Sequence, residues 1–135
     1  MPESKIQVKR VDHITFVVKD LDISKQFYVD LLGMEEVSRP GFRFAGSWFQ
    51  IGDVQIHLIL EHDESGPAKS YVPEECQISR TRHFAFEVED AMATAEVLRS
   101  LDIEIVAGPK QRPDGPTQLY IFDPDRNLVE LYSYS

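Results

Sequence analysis

The feature that most constrains this chain is an internal repeat with an offset of 70 residues. The segment VDHITFVVKDLDISKQFYVDLL aligns without gaps with TRHFAFEVEDAMATAEVLRSLD, and the identical positions are His13/His83, Phe16/Phe86, Val18/Val88, Asp20/Asp90 and Leu31/Leu101. A unit of this length that occurs only twice is not a solenoid. Each copy has an apolar face to bury, so the sequence predicts two similar halves that form one pseudo-symmetric unit.

Each copy begins with the alternation of a half-buried strand and continues with the spacing of an amphipathic helix. The alternation places His13 and His83 on the face opposite the apolar residues of their strands. Asp20 and Asp90 stand at the N-cap positions of the two helices, and Gly33 is placed to end the first helix. The apolar helix positions are Leu21, Phe27, Leu31 and Leu32 in the first copy, and Met92, Ala95, Val97, Leu98 and Leu101 in the second.

Three further strands are predicted in each half, so that each half is a βαβββ module. They cover residues 34–38, 43–51 and 54–60 in the first half, and 103–107, 117–122 and 128–133 in the second. Residues 62–79 have poor periodicity and contain turn-forming residues, as expected for a linker. The sequence therefore predicts a single α+β domain over 1–135, with module 1 at about 8–61 and module 2 at about 80–135.

The composition sets the class of protein. With 42% hydrophobic residues, a chain of 135 residues can build a core of its own. A formal net charge of −9 repels phosphate groups, so we expect neither nucleic acid nor an anionic membrane surface as a partner. The chain has one cysteine, Cys76, and no apolar run as long as a membrane span. A reducing, cytoplasmic location is therefore expected.

The first and last strands of each half carry one side chain of metal-binding type. Aligning GDVQIHLIL with DRNLVELYS brings His57 onto Glu130, just as the repeat brings His13 onto His83. Three imidazoles and one carboxylate suit zinc, nickel, cobalt, manganese or iron, and such a set with room for water is typical of catalytic sites. The sequence thus predicts one divalent transition metal held by His13, His57, His83 and Glu130.

A lone histidine on a strand is more often a half-exposed residue bonded to a neighbour than a metal ligand. Four side chains at repeat-equivalent positions are harder to explain in that way, which favours metal binding. The remaining histidine, His62, lies in the linker within the sequence EHDE, where a solvated acidic turn is the expected setting.

With these residues identified, the chain resembles the vicinal oxygen chelate superfamily, which includes glyoxalase I, fosfomycin resistance proteins, extradiol dioxygenases and bleomycin-binding proteins. The resemblance rests on VDHITFVVKDLDISKQFYVDLLGM, GDVQIHLI, RHFAFEVED and the closing IFDPDRNLVELYS. It implies paired βαβββ modules whose sheets curl around a metal cleft, with the ligands on the first and last strands. It also implies that the metal acts as a Lewis acid towards neighbouring oxygens of a small substrate.

As the leading function, the resemblance implies a glyoxalase-like lyase or isomerase, in which a carboxylate carries a proton between adjacent carbons. Glu130 would be that carboxylate. His57 stands where glyoxalase I relatives carry glutamate, so the site has one carboxylate where they have two, and His57 is either a ligand or a base beside the metal. Val17 stands where those relatives carry an arginine for glutathione, so glutathione is poorly supported as the thiol.

Two alternatives remain open. An extradiol-type dioxygenase holds ferrous iron with two histidines and one glutamate, which His13, His83 and Glu130 would match. Tyr120 also matches a tyrosine that this family places four residues before the proline of its final turn. A small-molecule binding or resistance module would instead use the same cleft without turnover.

Substrate contacts are predicted from two segments. Arg43 and Trp48, in RPGFRFAGSWFQIG, are expected to line the cleft together with Tyr120. The competing interpretation is that the aromatic residues of this segment pack within a strand and that its arginines lie on the surface. The loop GPKQRPDGPTQ offers Lys110 and Arg112 as contacts for an anion.

The resemblance finally implies pairing of modules between chains. A homodimer is expected, and in a swapped dimer His13 and His57 would come from one chain while His83 and Glu130 came from its partner. Arg126 stands where the family pattern has glycine, which predicts either backbone strain there or a shift of the left-handed conformation to the next residue.

Overall fold

Residues 4–134 are described by a computed structural model, in which the chain divides into two units, Met1–Pro67 and Ala68–Ser135. The division falls within the segment predicted as a linker. Unit 1 contains β1 (His13–Val18), α1 (Leu21–Lys25) with a π-helical continuation (Gln26–Leu31), β2 (Glu35–Val37), β3 (Gly46–Ile51) and β4 (Val54–Leu60). Unit 2 contains a 3-10 turn (Glu74–Cys76), β5 (Phe84–Glu87), α2 (Ala91–Ser100), β6 (Ala107–Gln111), β7 (Thr117–Phe122) and β8 (Leu128–Ser133).

Over residues 4–134, each unit contains one four-stranded sheet, and the two sheets have the same strand order. The orders are β1-β4-β3-β2 and β5-β8-β7-β6. The pairs β1/β4 and β5/β8 are parallel, and the other pairs are antiparallel. The predicted βαβββ order is thus confirmed in both halves. Because the first and last strands of a unit are direct neighbours, residues far apart in sequence meet on one face.

The register places each pair of candidate ligands on one face of its sheet. In unit 1, His13 lies across from Gln55, two residues before His57, so the two histidines share a face. In unit 2, Ala85 lies across from Glu130, and His83 precedes Ala85 by two residues. The opposite faces hold fully buried core residues, which include Phe49 and Ile56 in unit 1, and Leu119, Ile121, Val129 and Leu131 in unit 2.

Both predicted helix caps are confirmed. Asp20 Oδ1 accepts a hydrogen bond from the backbone N–H of Ile23 at 3.0 Å, and Asp90 Oδ1 accepts one from Ala93 at 3.1 Å. Each cap satisfies one of the backbone donors that the first turn of a helix leaves without an intrahelical partner. Gly33 follows the first helix with a φ of 78°, in the left-handed region that favours glycine.

The buried faces of the helices match the expected ones only in part, at Phe27, Ala95 and Leu98. The π-helical segment of unit 1 buries the consecutive residues Phe27 and Tyr28, whose rings meet edge to face at 4.9 Å. In α2 the buried residues are Ala91, Ala95 and Leu98, whereas Met92, Val97 and Leu101 are each more than half exposed. The predicted stripe was too wide because two small alanines form most of the buried stripe of α2. Within residues 4–134, neither helix is long and apolar enough to cross a membrane.

Two predicted strands begin later than expected. The strand expected at 103–107 is β6 at Ala107–Gln111, because the chain first turns at Asp102, with a φ of 57°, and ladder pairing with β7 starts only near Val106. The strand expected at 43–51 begins at Gly46. In the segment before it, the guanidinium of Arg39 lies 4.8 Å and 5.0 Å from the ring centres of Phe42 and Phe44.

Candidate metal-binding and substrate-binding site

Unit 1 brings His13, His57 and Trp48 together on one face of its sheet. The His57 ring stacks on the His13 ring at 4.0 Å and on the Trp48 ring at 4.0 Å, with interplanar angles of 13° and 4°. The pairing of the two predicted ligands is therefore observed. Because their lone pairs lie in nearly parallel planes, the two rings do not point at a common atom, and a shared metal requires one ring to turn. His13, with a side chain 42% exposed, has the space to do so.

The two imidazoles of unit 1 are held through different nitrogens. His13 Nδ1 donates to Asp12 Oδ2 at 2.8 Å, and this hydrogen bond holds the pKa of the Asp12 carboxyl below its usual value. His57 Nε2 lies 2.7 Å from Gln55 Oε1. Burial, followed by the charge of His13 when protonated, lowers the pKa of His57. A lowered pKa favours the neutral imidazole, which is the form that binds metal.

Unit 2 brings His83 and Glu130 together. His83 Nδ1 donates to the backbone carbonyl of Thr81 at 2.7 Å, and its Nε2 lies 3.1 Å from Glu130 Oε1. Both ring nitrogens thus face oxygen atoms that accept hydrogen bonds when the carboxyl is ionised. A neutral ring carries only one N–H, so the contact between Nε2 and Oε1 is favourable only when a proton or a metal ion lies there.

Glu130 is a buried carboxylate whose two oxygens have different surroundings. Oε1 accepts a hydrogen bond from the Tyr120 hydroxyl at 3.1 Å, and burial together with the charge of Glu130 raises the pKa of Tyr120 to about 12. Oε2 is buried and has no hydrogen-bond partner. The cation beside Oε2 is Arg112, whose Nη1 lies 3.6 Å away, in ion-pair range but beyond a hydrogen bond. A buried carboxylate oxygen in this state is suited to accept a proton or a metal ion.

A cavity of about 150 Å³ lies beside these groups within unit 2. Two of its lining residues, Arg112 and Tyr120, also contact Glu130. Lys110 adds a second cation, while Arg112 is also bound to Asp114 through two hydrogen bonds of 2.9 Å and 2.6 Å. The remaining lining residues are Ser79, Ala107, Gly108, Gln111, Pro113 and Gln118.

The two arginines of the segment before β3 have different surroundings. Arg43, predicted as a substrate contact, is exposed. Arg39, which was not predicted as a substrate contact, lies close enough to His57 for its charge to lower the pKa of that imidazole. Its Nη2 donates to the Phe44 carbonyl at 2.9 Å, and its Nε is buried without a hydrogen-bond partner. Each arginine has a phenylalanine next to it or nearby, so the sequence holds no signal that distinguishes the two.

The linker histidine has the setting that was expected. His62 is exposed and forms a turn in which its carbonyl accepts a hydrogen bond from the backbone N–H of Ser65 at 3.1 Å. Its Nδ1 accepts from the backbone N–H of Glu64 at 3.2 Å, and its ring stacks on Phe44 at 5.6 Å. His62 therefore lies outside both pairs of candidate ligands.

Comparisons with known proteins decide the family. A family model described as Glyoxalase/Bleomycin resistance protein/Dioxygenase superfamily matches residues 10–131. The chain belongs to this superfamily. The resemblance to the vicinal oxygen chelate proteins is thereby confirmed, and with it the α+β fold of paired βαβββ modules.

Individual proteins are similar to this chain over nearly its whole length. The glyoxalase domain-containing protein RDO1 of Mycosarcoma maydis is 32% identical over 98% of this chain and 72% of its own length. The glutathione transferase FosA of Serratia marcescens is 31% identical over 93% of this chain and 81% of its own. The solved structure of virulence protein STM3117 from Salmonella typhimurium superposes with a TM-score of 0.68 at 25% identity, over 96% of this chain and 100% of that one.

Members of the superfamily are often metal-dependent enzymes, and some are not catalytic. The donor atoms of this chain fit a metal ion. In both His13 and His83, Nδ1 donates to an oxygen and leaves Nε2 as the lone-pair donor, which is the usual arrangement of a metal-binding histidine. Among residues 4–134 no group of three or more His, Cys, Asp or Glu side chains is assembled for a metal, and the four candidates occur as two pairs.

Proposed function

We propose that this protein is a metal-dependent enzyme of the glyoxalase type, which catalyses lyase or isomerase chemistry by proton transfer on a small oxygenated substrate. The observation that carries the proposal is the state of Glu130. Its carboxylate is buried, its Oε2 has no hydrogen-bond partner, and its neighbours Arg112 and Tyr120 line a cavity. General acid–base catalysis uses a group within reach of the bound substrate, and Glu130, in contact with two residues of the cavity wall, is the candidate for that role.

The metal would be one divalent ion of zinc, nickel, cobalt, manganese or iron, held by His13, His57, His83 and Glu130. Nitrogen and carboxylate donors of this kind suit those ions, and the two imidazoles anchored through Nδ1 are ready to bind through Nε2. When bound, the metal supplies Lewis acidity towards two neighbouring oxygens of the substrate.

The residues around Glu130 would each have a separate role in proton transfer. The Tyr120 hydroxyl, with a pKa of about 12, stays protonated near neutral pH and keeps Oε1 as an acceptor. Oε2 is then the oxygen that takes a proton from the substrate and returns it. Arg112 balances the charge of the carboxylate from 3.6 Å without covering Oε2 by a hydrogen bond. His57, whose pKa is lowered by burial, is the second candidate base.

The substrate would occupy the cavity beside Glu130. A volume of about 150 Å³ admits only a small molecule, and the side chains of Lys110, Arg112 and Tyr120 favour a substrate that carries an anionic or strongly polar oxygen group. In unit 1, Trp48 and Arg43 are proposed as further substrate contacts, since Trp48 lies flat against His57 and Arg43 is exposed.

Metal content per chain tests the proposal. Untagged protein purified without chelator is analysed by elemental mass spectrometry beside the His13→Ala/Glu130→Ala double variant and a His62→Ala control. We expect about one metal ion per chain in the wild type and in the control, and loss of it in the double variant. Absence of metal from the wild type after reconstitution, or retention in the double variant, would overturn the proposal.

We further propose a homodimer in which a site takes one ligand pair from each chain. Proteins of the superfamily commonly form dimers, and each unit of this chain holds two of the four ligands. His13→Ala chains are mixed and refolded with Glu130→Ala chains, and metal is counted in the mixture. Sharing restores one intact site in each mixed dimer, whereas unshared sites give no metal above that of the separate variants.

The extradiol-type dioxygenase is the second candidate, and the position of Tyr120 beside Glu130 favours it because a protonated tyrosine there can turn its hydroxyl from Oε1 to a catecholic oxygen. Oxygen consumption with a catechol by iron-loaded protein would replace the lyase or isomerase proposal. A binding module without turnover predicts saturable ligand binding that does not depend on metal.

A further inference from the structure

A chain of amide hydrogen bonds runs along the ligand face of unit 1 and starts at the turn between β3 and β4. Gln50 Nε2 lies 2.6 Å from the carbonyl oxygen of Gly52 and 3.4 Å from that of Val54. A backbone carbonyl only accepts hydrogen bonds, so the end of the Gln50 amide that faces the turn is its NH₂ group. The turn therefore fixes the direction of the Gln50 amide.

The orientation of the Gln50 amide determines that of the Gln55 amide, which in turn determines which nitrogen of His57 carries the hydrogen. Gln50 Oε1 faces Gln55 Nε2 at 2.8 Å, and Gln55 Oε1 faces His57 Nε2 at 2.7 Å. An amide oxygen only accepts, so His57 Nε2 must carry a hydrogen. A neutral imidazole has a single N–H, and the lone pair of His57 consequently lies on Nδ1.

The neighbouring imidazole is fixed in the opposite tautomer. His13 Nδ1 faces the Asp12 carboxylate at 2.8 Å and must donate to it, which leaves the lone pair on Nε2. Trp48 and His13 cover the two faces of the His57 ring, each at 4.0 Å, so the ring cannot turn over without separating both stacks.

We propose that Gln50 and Gln55 are positioning residues that hold His57 as the Nε2–H tautomer and make Nδ1 its metal-binding atom, whereas His13 and His83 bind through Nε2. The role towards metal rests on the proposed function. The tautomer itself does not, because the amide chain sets it in the metal-free protein.

Tautomers are read directly by long-range ¹H–¹⁵N correlation spectra of the imidazole rings, recorded on uniformly labelled, metal-free protein at pH 8. His57→Asn and His13→Asn variants assign the signals. We expect Nε2–H for His57 and Nδ1–H for His13 in the wild type. In Gln55→Met the His57 signals should change to those of exchanging tautomers, and Gln55→Glu should restore Nε2–H because the carboxylate still accepts from that nitrogen.

Two further variants separate positioning from packing. Gln50→Met leaves Gln55 in place but removes the group that orients its amide. The two His57 tautomers should therefore exchange, although Gln55, the residue in contact with His57, is unchanged. Gln26→Met makes the same chemical change at an exposed residue of the helical segment and should leave all imidazole signals as in the wild type. Metal affinity, measured by competition with a chromogenic chelator, should fall about 10–100-fold in Gln55→Met and recover in Gln55→Glu.

The measurements distinguish failure of the positioning role of Gln50 and Gln55 from failure of the proposed metal-dependent function. Nδ1–H at His57 in the wild type, or an Nε2–H tautomer that persists in both Gln55→Met and Gln50→Met, overturns the positioning role. The expected tautomers combined with a wild-type protein that binds no metal would leave the amide chain as described and refute the proposed metal-dependent function.

Discussion

The Tyr120 hydroxyl donates a hydrogen bond to Glu130 Oε1 across 3.1 Å, and the two residues are direct partners in the β7/β8 ladder. His83 Nε2 approaches the same oxygen, also at 3.1 Å. Oε1 is thus shared between two groups, while Oε2 has an ion-pair contact with Arg112 and no hydrogen bond. The two oxygens of the buried carboxylate therefore differ: Oε1 is held by neighbouring groups, and Oε2 is left without a hydrogen bond.

Replacing Tyr120 by Phe removes the hydroxyl that bonds to a buried carboxylate. We expect the free energy of unfolding to fall by about 1–2 kcal/mol, since a hydrogen bond to a charged group contributes more than a neutral one. Urea denaturation measures the change. Tyr134→Phe, at a tyrosine that is 72% exposed, is the matched control and should stay near the wild type. Equal losses in the two variants would contradict the assigned contact.

Alkaline pH should destabilise the protein through Tyr120. Its pKa is raised from 10.0 to about 12 in the folded state, so the folded chain holds a proton that the unfolded chain releases. The associated stability is fully present below pH 10 and is lost as the pH rises to about 12. Denaturation midpoints over this range should fall less steeply in Tyr120→Phe. A titration followed by ultraviolet absorbance should lose its highest tyrosine step in that variant.

Arg112→Met removes a cation that both lines the cavity and faces Glu130. Binding of inorganic phosphate, measured by isothermal titration, should weaken about tenfold, which corresponds to about 1.4 kcal/mol for one charged contact. Arg99→Met removes an exposed arginine paired with Glu96 on α2 and is the control. It should leave phosphate binding unchanged and alter stability by less than about 0.5 kcal/mol. Phosphate affinity that is the same in all three proteins would argue against an anion-binding cavity.

The left-handed conformation expected near the final turn stays on Arg126, with a φ of 69°. Its guanidinium lies 3.9 Å from the Phe122 ring centre, and its Nη2 donates to Gln77 Oε1 at 3.3 Å. Arg126→Gly and Arg126→Ala lose both contacts equally, so their difference reports the backbone alone. The glycine variant should be more stable than the alanine variant by about 1 kcal/mol in thermal unfolding. The reverse order would show that the turn is not strained.

The repeat and the apolar alternation predicted the element order because both are local properties of the sequence. The capping positions of Asp20 and Asp90 followed from the same alignment. The grouping of His13 with His57 and of His83 with Glu130 came instead from the resemblance to the vicinal oxygen chelate proteins. The start of β6 was wrong because an alternating segment after a helix looks the same whether or not it has a ladder partner. Only the pairing with β7 distinguishes the two cases.

The groups that orient the candidate ligands were not predictable in the same way. Asp12 and Gln55 lie one and two residues from the histidines they contact, but spacing alone does not say which ring nitrogen each one bonds. Gln50 meets Gln55 only because β3 and β4 pair in the observed register. Arg39 acquires its place from two aromatic rings that precede β3. The sequence therefore contained the donor atoms, whereas the hydrogen bonds that select one nitrogen of each ring exist only in the folded sheet.

The parallel pairing of first and last strands also bears on how such modules diversify. In each unit the first and last strands are joined by their own ladder, and the candidate ligands lie on these strands or, for His83, one residue before the first of them. The helix and the two strands between them form a connection that leaves the ladder and returns to it. Insertions or deletions in this connection can reshape the walls of a pocket without changing the ladder register. After duplication of a module, the two connections are free to diverge. New specificities can therefore evolve around donor atoms whose positions on the ladder do not change.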